Sequence, residues 1–175
     1  PGIEQSFLMA NPAGKRETFQ KMVTFCLDKK LPVKAEIIIS YHSKYYRDIA
    51  EYPDLIFRLY KTYYPKHKDA VFTFENGTLS IDAPQITKLV SQAIFYCIFR
   101  YLRVKKLKVV RSSISSPREF AGIYLFELDL RGTKITKLGS IGGEVIQIHK
   151  VIIRKDQLSA NELKRSSKYF EIEVR

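Results

Sequence analysis

Residues 70–102 read AVFTFENGTLSIDAPQITKLVSQAIFYCIFRYL, and the fold turns on how this stretch divides. Ala70–Phe74 and Thr78–Ile81 are apolar runs of strand length on either side of Glu75-Asn76-Gly77. Asn and Gly tolerate positive φ, which a tight two-residue turn requires, so a β-hairpin is predicted here. Asp82 then stands where a helix cap would, with Pro84 in the first turn. Ile86, Leu89, Val90, Ala93, Ile94, Cys97, Ile98 and Tyr101 recur at helical spacing. The stretch therefore predicts a hairpin followed by a long central helix, the most buried of the chain.

On the amino side, residues 1–13 read as a flexible lead-in carrying Pro1, Gly2, Asn11 and Pro12. Phe19, Met22, Val23, Cys26 and Leu27 then mark one face of a helix over Lys15–Lys30, which Pro32 ends. Val33–Tyr41 is rich in β-branched residues and predicts a strand. Ser43 is placed to cap a helix from Lys44. Pro53 and Asp54 open a second segment whose face is Leu55, Ile56, Leu59, Tyr60 and Tyr63.

On the carboxyl side the pattern is mostly β. Leu107–Ile114 predicts a strand, followed by a Ser-rich loop over Ser112–Arg118. Ile123–Arg131 alternates, with Tyr124, Phe126, Leu128 and Leu130 assigned to one face and Glu127, Asp129 and Arg131 to the other. Gly139, Gly142 and Gly143 punctuate a turn before a long strand over Glu144–Arg154. Ser159 and Glu162 fit a capping box, and Tyr169–Val174 closes as a strand. Helices concentrate in the first half and strands in the second. The fold class expected is α+β, a largely antiparallel sheet packed against the long central helix and flanking helices. With no repeat and no linker, residues 14–175 are expected to form a single basic domain.

The charge is the feature with functional content. Thirty Lys and Arg against 18 Asp and Glu leave +12 at pH 7 and a pI near 9.7. Such a balance is the electrostatic footprint of nucleic-acid binders, and acidic lipid surfaces attract it too. The excess is local. From Ala83 to Arg118 there is no acidic residue, while Lys88, Arg100, Arg103, Lys105, Lys106, Lys108, Arg111 and Arg118 all fall there. A helix dipole favours cations at its carboxyl end, but each such interaction contributes about 0.3–1 kcal/mol and accounts for one or two residues. Six cations between Arg100 and Arg111 exceed that. Arg100, Arg103, Lys105, Lys106, Lys108, Arg111 and Arg118 are therefore the expected polyanion-binding residues. Lys61, Lys66 and Lys68 form a secondary basic cluster, interleaved with tyrosines that read more simply as helix anchors.

Chemistry is hard to find. His42, His67 and His149 lack partners at metal-ligand spacing, and no Walker loop, dinucleotide fingerprint or nucleophile elbow occurs. No metal site and no cofactor are expected. Asp54, Asp82, Glu127 and Asp129 could supply carboxylates to a metal-dependent nuclease, but alternating charge is also ordinary on a half-exposed strand. Cys26 and Cys97 read as buried free thiols. No secretory signal or membrane-length apolar run is seen, so cytoplasmic or nuclear residence is expected.

Residues 35–60 resemble the matrix proteins of rhabdoviruses, the short plant-infecting type in particular. The run Ala35–Ser40, read as a strand, precedes Tyr45-Tyr46-Arg47-Asp48-Ile49-Ala50 and an apolar helix. The resemblance implies a non-enzymatic viral structural protein that contacts nucleocapsid and inner membrane leaflet and self-associates. The chain departs from the animal-virus members in lacking a lysine-rich amino tail and a proline-tyrosine budding motif. The expected function is thus a basic binding and assembly protein for RNA, nucleoprotein or anionic membrane, with possible homo-oligomers. A nucleic-acid-binding regulator is the alternative reading, and a nuclease the third.

Overall fold

The computed structural model describes residues 12–45, 49–88, 93–120, 123–139 and 148–175. They group into two compact units, one ending at Pro65 and one running from Lys66 to Arg175.

The first unit is helical: α1 (Pro12–Asp28), α2 (Pro32–Tyr45) and α3 (Pro53–Tyr63). Its core holds Phe19, Val23, Leu27, Ile38, Ile39, Ile56, Leu59 and Tyr60, with Cys26 buried and unpaired. The strand expected over Val33–Tyr41, on which the viral resemblance drew, is helix. Its buried positions are Ala35, Ile38, Ile39 and His42, at i, i+3, i+4 and i+7, while Val33 and Ile37 are 60% and 62% exposed. The helical period thus outweighs β-branched propensity, which is a weak local preference. Ser43 consequently lies near the end of a helix, not at the start of one. His42 stacks on Phe19 with ring centroids 3.9 Å apart. Arg58 ties α3 to α1 through Asp28 at 2.6 Å, and the Tyr63 hydroxyl donates to Glu36 at 2.5 Å.

The second unit is built on a six-stranded sheet: β1 (Val71–Glu75), β2 (Thr78–Ala83), β3 (Lys106–Ser112), β4 (Leu125–Asp129), β5 (Ile148–Ile153) and β6 (Glu171–Val174). Helix α4 (Ala93–Leu102) lies between β2 and β3, and α5 (Ala160–Ser166) between β5 and β6. The hairpin at Asn76-Gly77 is as expected, with both residues at positive φ, 50° and 76°. The rest of the sheet overturns the expected fold class. Strands lie in the order β1-β2-β3-β4-β5-β6, and every pair after the hairpin is parallel. The sheet is mixed and mostly parallel, not largely antiparallel.

Two sequence features hid this. Parallel strands announce themselves by alternating with helical patterns. Here the β3–β4 and β4–β5 connections carry no described α-helix, so their strands read as a meander. Nor is there a long central helix among the described residues. Asp82 and Ala83 belong to β2, paired with Arg111 and Ser112, and Pro84 starts a turn in which the Ile86 N–H bonds the Ala83 carbonyl. Pairing with strands on both sides decides the matter over the apparent cap. The described helix begins only at Ala93; residues 89–92 of the expected helix lie outside the described residues, as do 1–11 of the lead-in, 46–48, and the Gly142–Gln147 part of the expected turn and strand.

Successive parallel strands always step in the same direction, and crossovers are right-handed in about 98% of cases, so the connections belong on one side of the sheet. Burial agrees. Leu79, Ile81 and Ala83 on β2, and Leu107 and Val109 on β3, are buried. Thr78, Ser80 and Asp82 are half-buried and Lys108 is exposed, leaving an open side. A bulge at Val110 lets Asp82 pair with Arg111, and Gly132 closes on it, with its N–H on the Val109 carbonyl at 3.1 Å. Farther across, a buried polar group locks the β4 exit: Gln157 donates to the Leu130 carbonyl at 3.0 Å and to Thr133 at 3.2 Å.

Candidate polyanion interface

The basic segment is positioned by the end of α4 and by β3. Arg100 is exposed in the last turn of α4. Arg103 follows the helix at φ 52°, and the Val104 N–H returns to the Phe99 carbonyl at 3.2 Å. This is a Schellman ending, in which glycine is usual at the left-handed position. Here that position holds an exposed arginine. The chain then meets the hairpin: the Lys105 and Lys106 N–H groups both donate to the Gly77 carbonyl, at 2.8 and 3.1 Å. Within β3, alternation buries Leu107 and Val109 and exposes Lys108.

The seven expected cations separate into two kinds. Lys106 and Arg111 are engaged with the sheet. Lys106 sits 3.8 Å from Glu127, and Arg111 grips Asp82 with two hydrogen bonds of 2.8 and 2.6 Å. Those hydrogen bonds hold the Asp82 carboxyl below its ordinary range and the Arg111 guanidinium above its own. Arg100, Arg103, Lys105, Lys108 and Arg118 are exposed and make no side-chain hydrogen bond or ion pair among the described residues. Arg118 stands apart, on the short 3-10 turn Pro117–Phe120 beyond the carboxyl end of β3. Arg103 and Lys105 precede the amino end. The free cations nearest one another along the chain are thus Arg100, Arg103, Lys105 and Lys108.

Of the secondary cluster, Lys61 closes α3 in the first unit, whereas Lys66 and Lys68 are exposed ahead of β1 in the second. Tyr60 is fully buried, and desolvation pushes its hydroxyl pKa well up, so it serves the helical core.

Three of the four carboxylates considered for a nuclease are held by basic partners. Asp54 lies in the first unit, Asp82 is held by Arg111 and Glu127 by Lys106. Asp129 is buried, and Arg131 clasps it with hydrogen bonds of 3.0 and 2.7 Å. Among the described residues, no three His, Cys, Asp or Glu side chains gather as metal ligands would. No described helix is long and apolar enough to cross a membrane.

Two arrangements escaped the sequence because they exist only in the register. On the open side, Lys106, Glu127, Lys150 and Glu171 occupy one row across four strands, with alternating sign. Lys150 bonds Glu171 at 3.3 Å and Glu173 at 2.5 Å. One residue earlier stand Lys105, just before β3, then Phe126, His149 and the buried Phe170. Exposure along β4 does not follow the expected alternation: Leu128 and Leu130 are buried, but Tyr124 and Phe126 are 59% and 57% exposed, and Leu125 is buried as well.

Comparison with known proteins finds no family model, no curated relative and no solved structure that matches this chain.

Proposed function

We propose that this chain is a non-enzymatic binding protein whose basic segment Arg100–Lys108 holds a polyanion, nucleic acid foremost. The observation that carries the reading is a contrast within that segment. Lys106 has a carboxylate beside it, while Arg100, Arg103, Lys105 and Lys108 face solvent without one. Four like charges within nine residues of chain repel one another, and no acidic residue from Ala83 to Arg118 offsets them. A phosphate backbone relieves that repulsion and releases its condensed counterions on doing so.

The test is fluorescence anisotropy with labelled RNA over a salt series, with anionic vesicles as competitor. Each phosphate contact should add about −0.7 to the slope of log K against log salt on a single strand, or about −0.9 on duplex. Joint replacement of Arg100, Lys105 and Lys108 by Glu should abolish binding with the thermal transition unchanged. Retained affinity in that folded variant would sink the site. Full displacement of RNA by vesicles would show that the same cations also serve a lipid surface.

A further inference from the structure

The strand register brings a ring, an imidazole and a cation together at the amino end of the parallel strands. Lys106, Glu127 and Lys150 are lateral neighbours. Lys105, Phe126 and His149 each come one residue earlier, Lys105 just before β3 begins. Backbone contacts fix the row. The Phe126 N–H donates to the Lys105 carbonyl at 2.8 Å, and the Phe126 and His149 rings lie 5.9 Å apart. The Lys106 ammonium is 6.0 Å from the Phe126 centroid. Strands are spaced by about 4.8 Å, so Lys105, Phe126 and His149 follow one another along this row.

Phe126 is not a core residue. Its neighbours Leu125 and Leu128 are almost fully buried, whereas Phe126 leaves 57% of its surface in water, and Tyr124, two residues earlier, leaves 59%. Lys105 and His149 are exposed beside it, and Arg103 is exposed two residues before Lys105. An exposed aromatic face flanked by cations suits one ligand chemistry above others. A base stacks on the ring while its phosphates reach the cations, and the fit tolerates any sequence because every base has a π-face. A duplex keeps its bases stacked on each other, so the ring would have nothing to take. A lipid surface rewards contiguous apolar bulk, but here the Lys106 ammonium and the His149 ring lie 6.0 and 5.9 Å from the Phe126 ring.

We infer that the Lys105–Phe126–His149 strip is a stacking platform for single-stranded nucleic acid, with Arg103 and Lys105 on the adjoining phosphates. The inference rests on the polyanion reading above and narrows it to one strand state.

The chain has no tryptophan, so Phe126→Trp introduces a sole indole at the platform. That variant is titrated with a single-stranded oligouridylate and with an RNA duplex of equal length. Quenching by the single strand and not by the duplex is expected. In anisotropy, Phe126→Ala should bind the single strand roughly 5- to 100-fold more weakly at an unchanged salt slope, and Phe126→Trp should retain binding. Equal affinity of wild type and Phe126→Ala for both forms would overturn the platform and leave the polyanion reading standing. Absence of binding to either RNA by the wild-type protein would overturn both. A blue-shifted indole with phosphatidylserine vesicles, without quenching by oligouridylate, would overturn the platform in favour of a lipid surface.

Discussion

A Cβ on Gly132 would lie 2.1 Å from the carbonyl oxygen of Val110. The neighbouring atoms are backbone, at the bulge that brings Arg111 opposite Asp82, and backbone cannot swing aside as a flexible side chain can. Gly132→Ala should therefore break the closure of the β4 exit onto β3. The expected cost is on the order of 2–4 kcal/mol, read as a lower urea midpoint at pH 7. An unchanged midpoint would mean that this approach is looser than described.

Two helices end on a cation in the left-handed region: α1 at Lys30, φ 54°, and α4 at Arg103, φ 52°. Both carry the Schellman bond, Leu31 N–H to the Cys26 carbonyl in the first case. Glycine adopts this conformation freely, but a cation there also favours the helix dipole. Lys30→Gly and Arg103→Gly should each raise stability by a few tenths to about 1 kcal/mol, seen in thermal melts. Only Arg103→Gly should also lower the salt slope of RNA binding. Equal binding by both variants would remove Arg103 from the interface.

Asp129 is buried, and its carboxylate is met by the Arg131 guanidinium and by the Arg131 N–H at 3.1 Å. Removing one partner of such a pair leaves a charge stranded out of water. Arg131→Met should cost about 3–5 kcal/mol. The double variant Asp129→Asn with Arg131→Met should recover part of that loss in the same denaturation assay.

Hydrogen bonds from Arg175 and Lys150 hold the Glu173 carboxyl at about 2. An unfolded glutamate titrates at about 4.3. The folded pKa is the lower one, so the stabilisation is fully present above the unfolded value. It is lost as pH falls from about 4.3 toward about 2. Urea midpoints measured between pH 6 and 2 should show that decline, and Glu173→Gln should flatten it. A variant with the same acid profile as the wild type would place the decline elsewhere.

What could be read in the sequence was whatever depended on near neighbours. Asn76-Gly77 announced its hairpin, and Ser159 caps α5 by accepting from the Glu162 N–H as its spacing implied. The local excess of charge was legible for the same reason. What failed depended on distant strands. Asp82 looked like a cap because its partner Arg111 lies 29 residues away. Lys106 looked like a free cation because Glu127 becomes its neighbour only when β3 and β4 run parallel. The exposure of Phe126 was hidden by an alternation that continues into the buried Leu128. At α2 the helical signal was present but outweighed: Ala35, Ile38, Ile39 and His42 spell a helix, and the three consecutive isoleucines obscured it.

The strands of the second unit succeed one another in space in the order in which a ribosome makes them. β2 finds β1 across a two-residue turn, β3 then finds β2, and each later strand has its template already in place. No strand waits on one not yet synthesised, so the sheet can be completed vectorially, with its contacts kept comparatively short in sequence. An unfinished chain would present β1, an edge in the finished sheet too, and opposite it the most recently formed strand, which is the edge still open to mispairing.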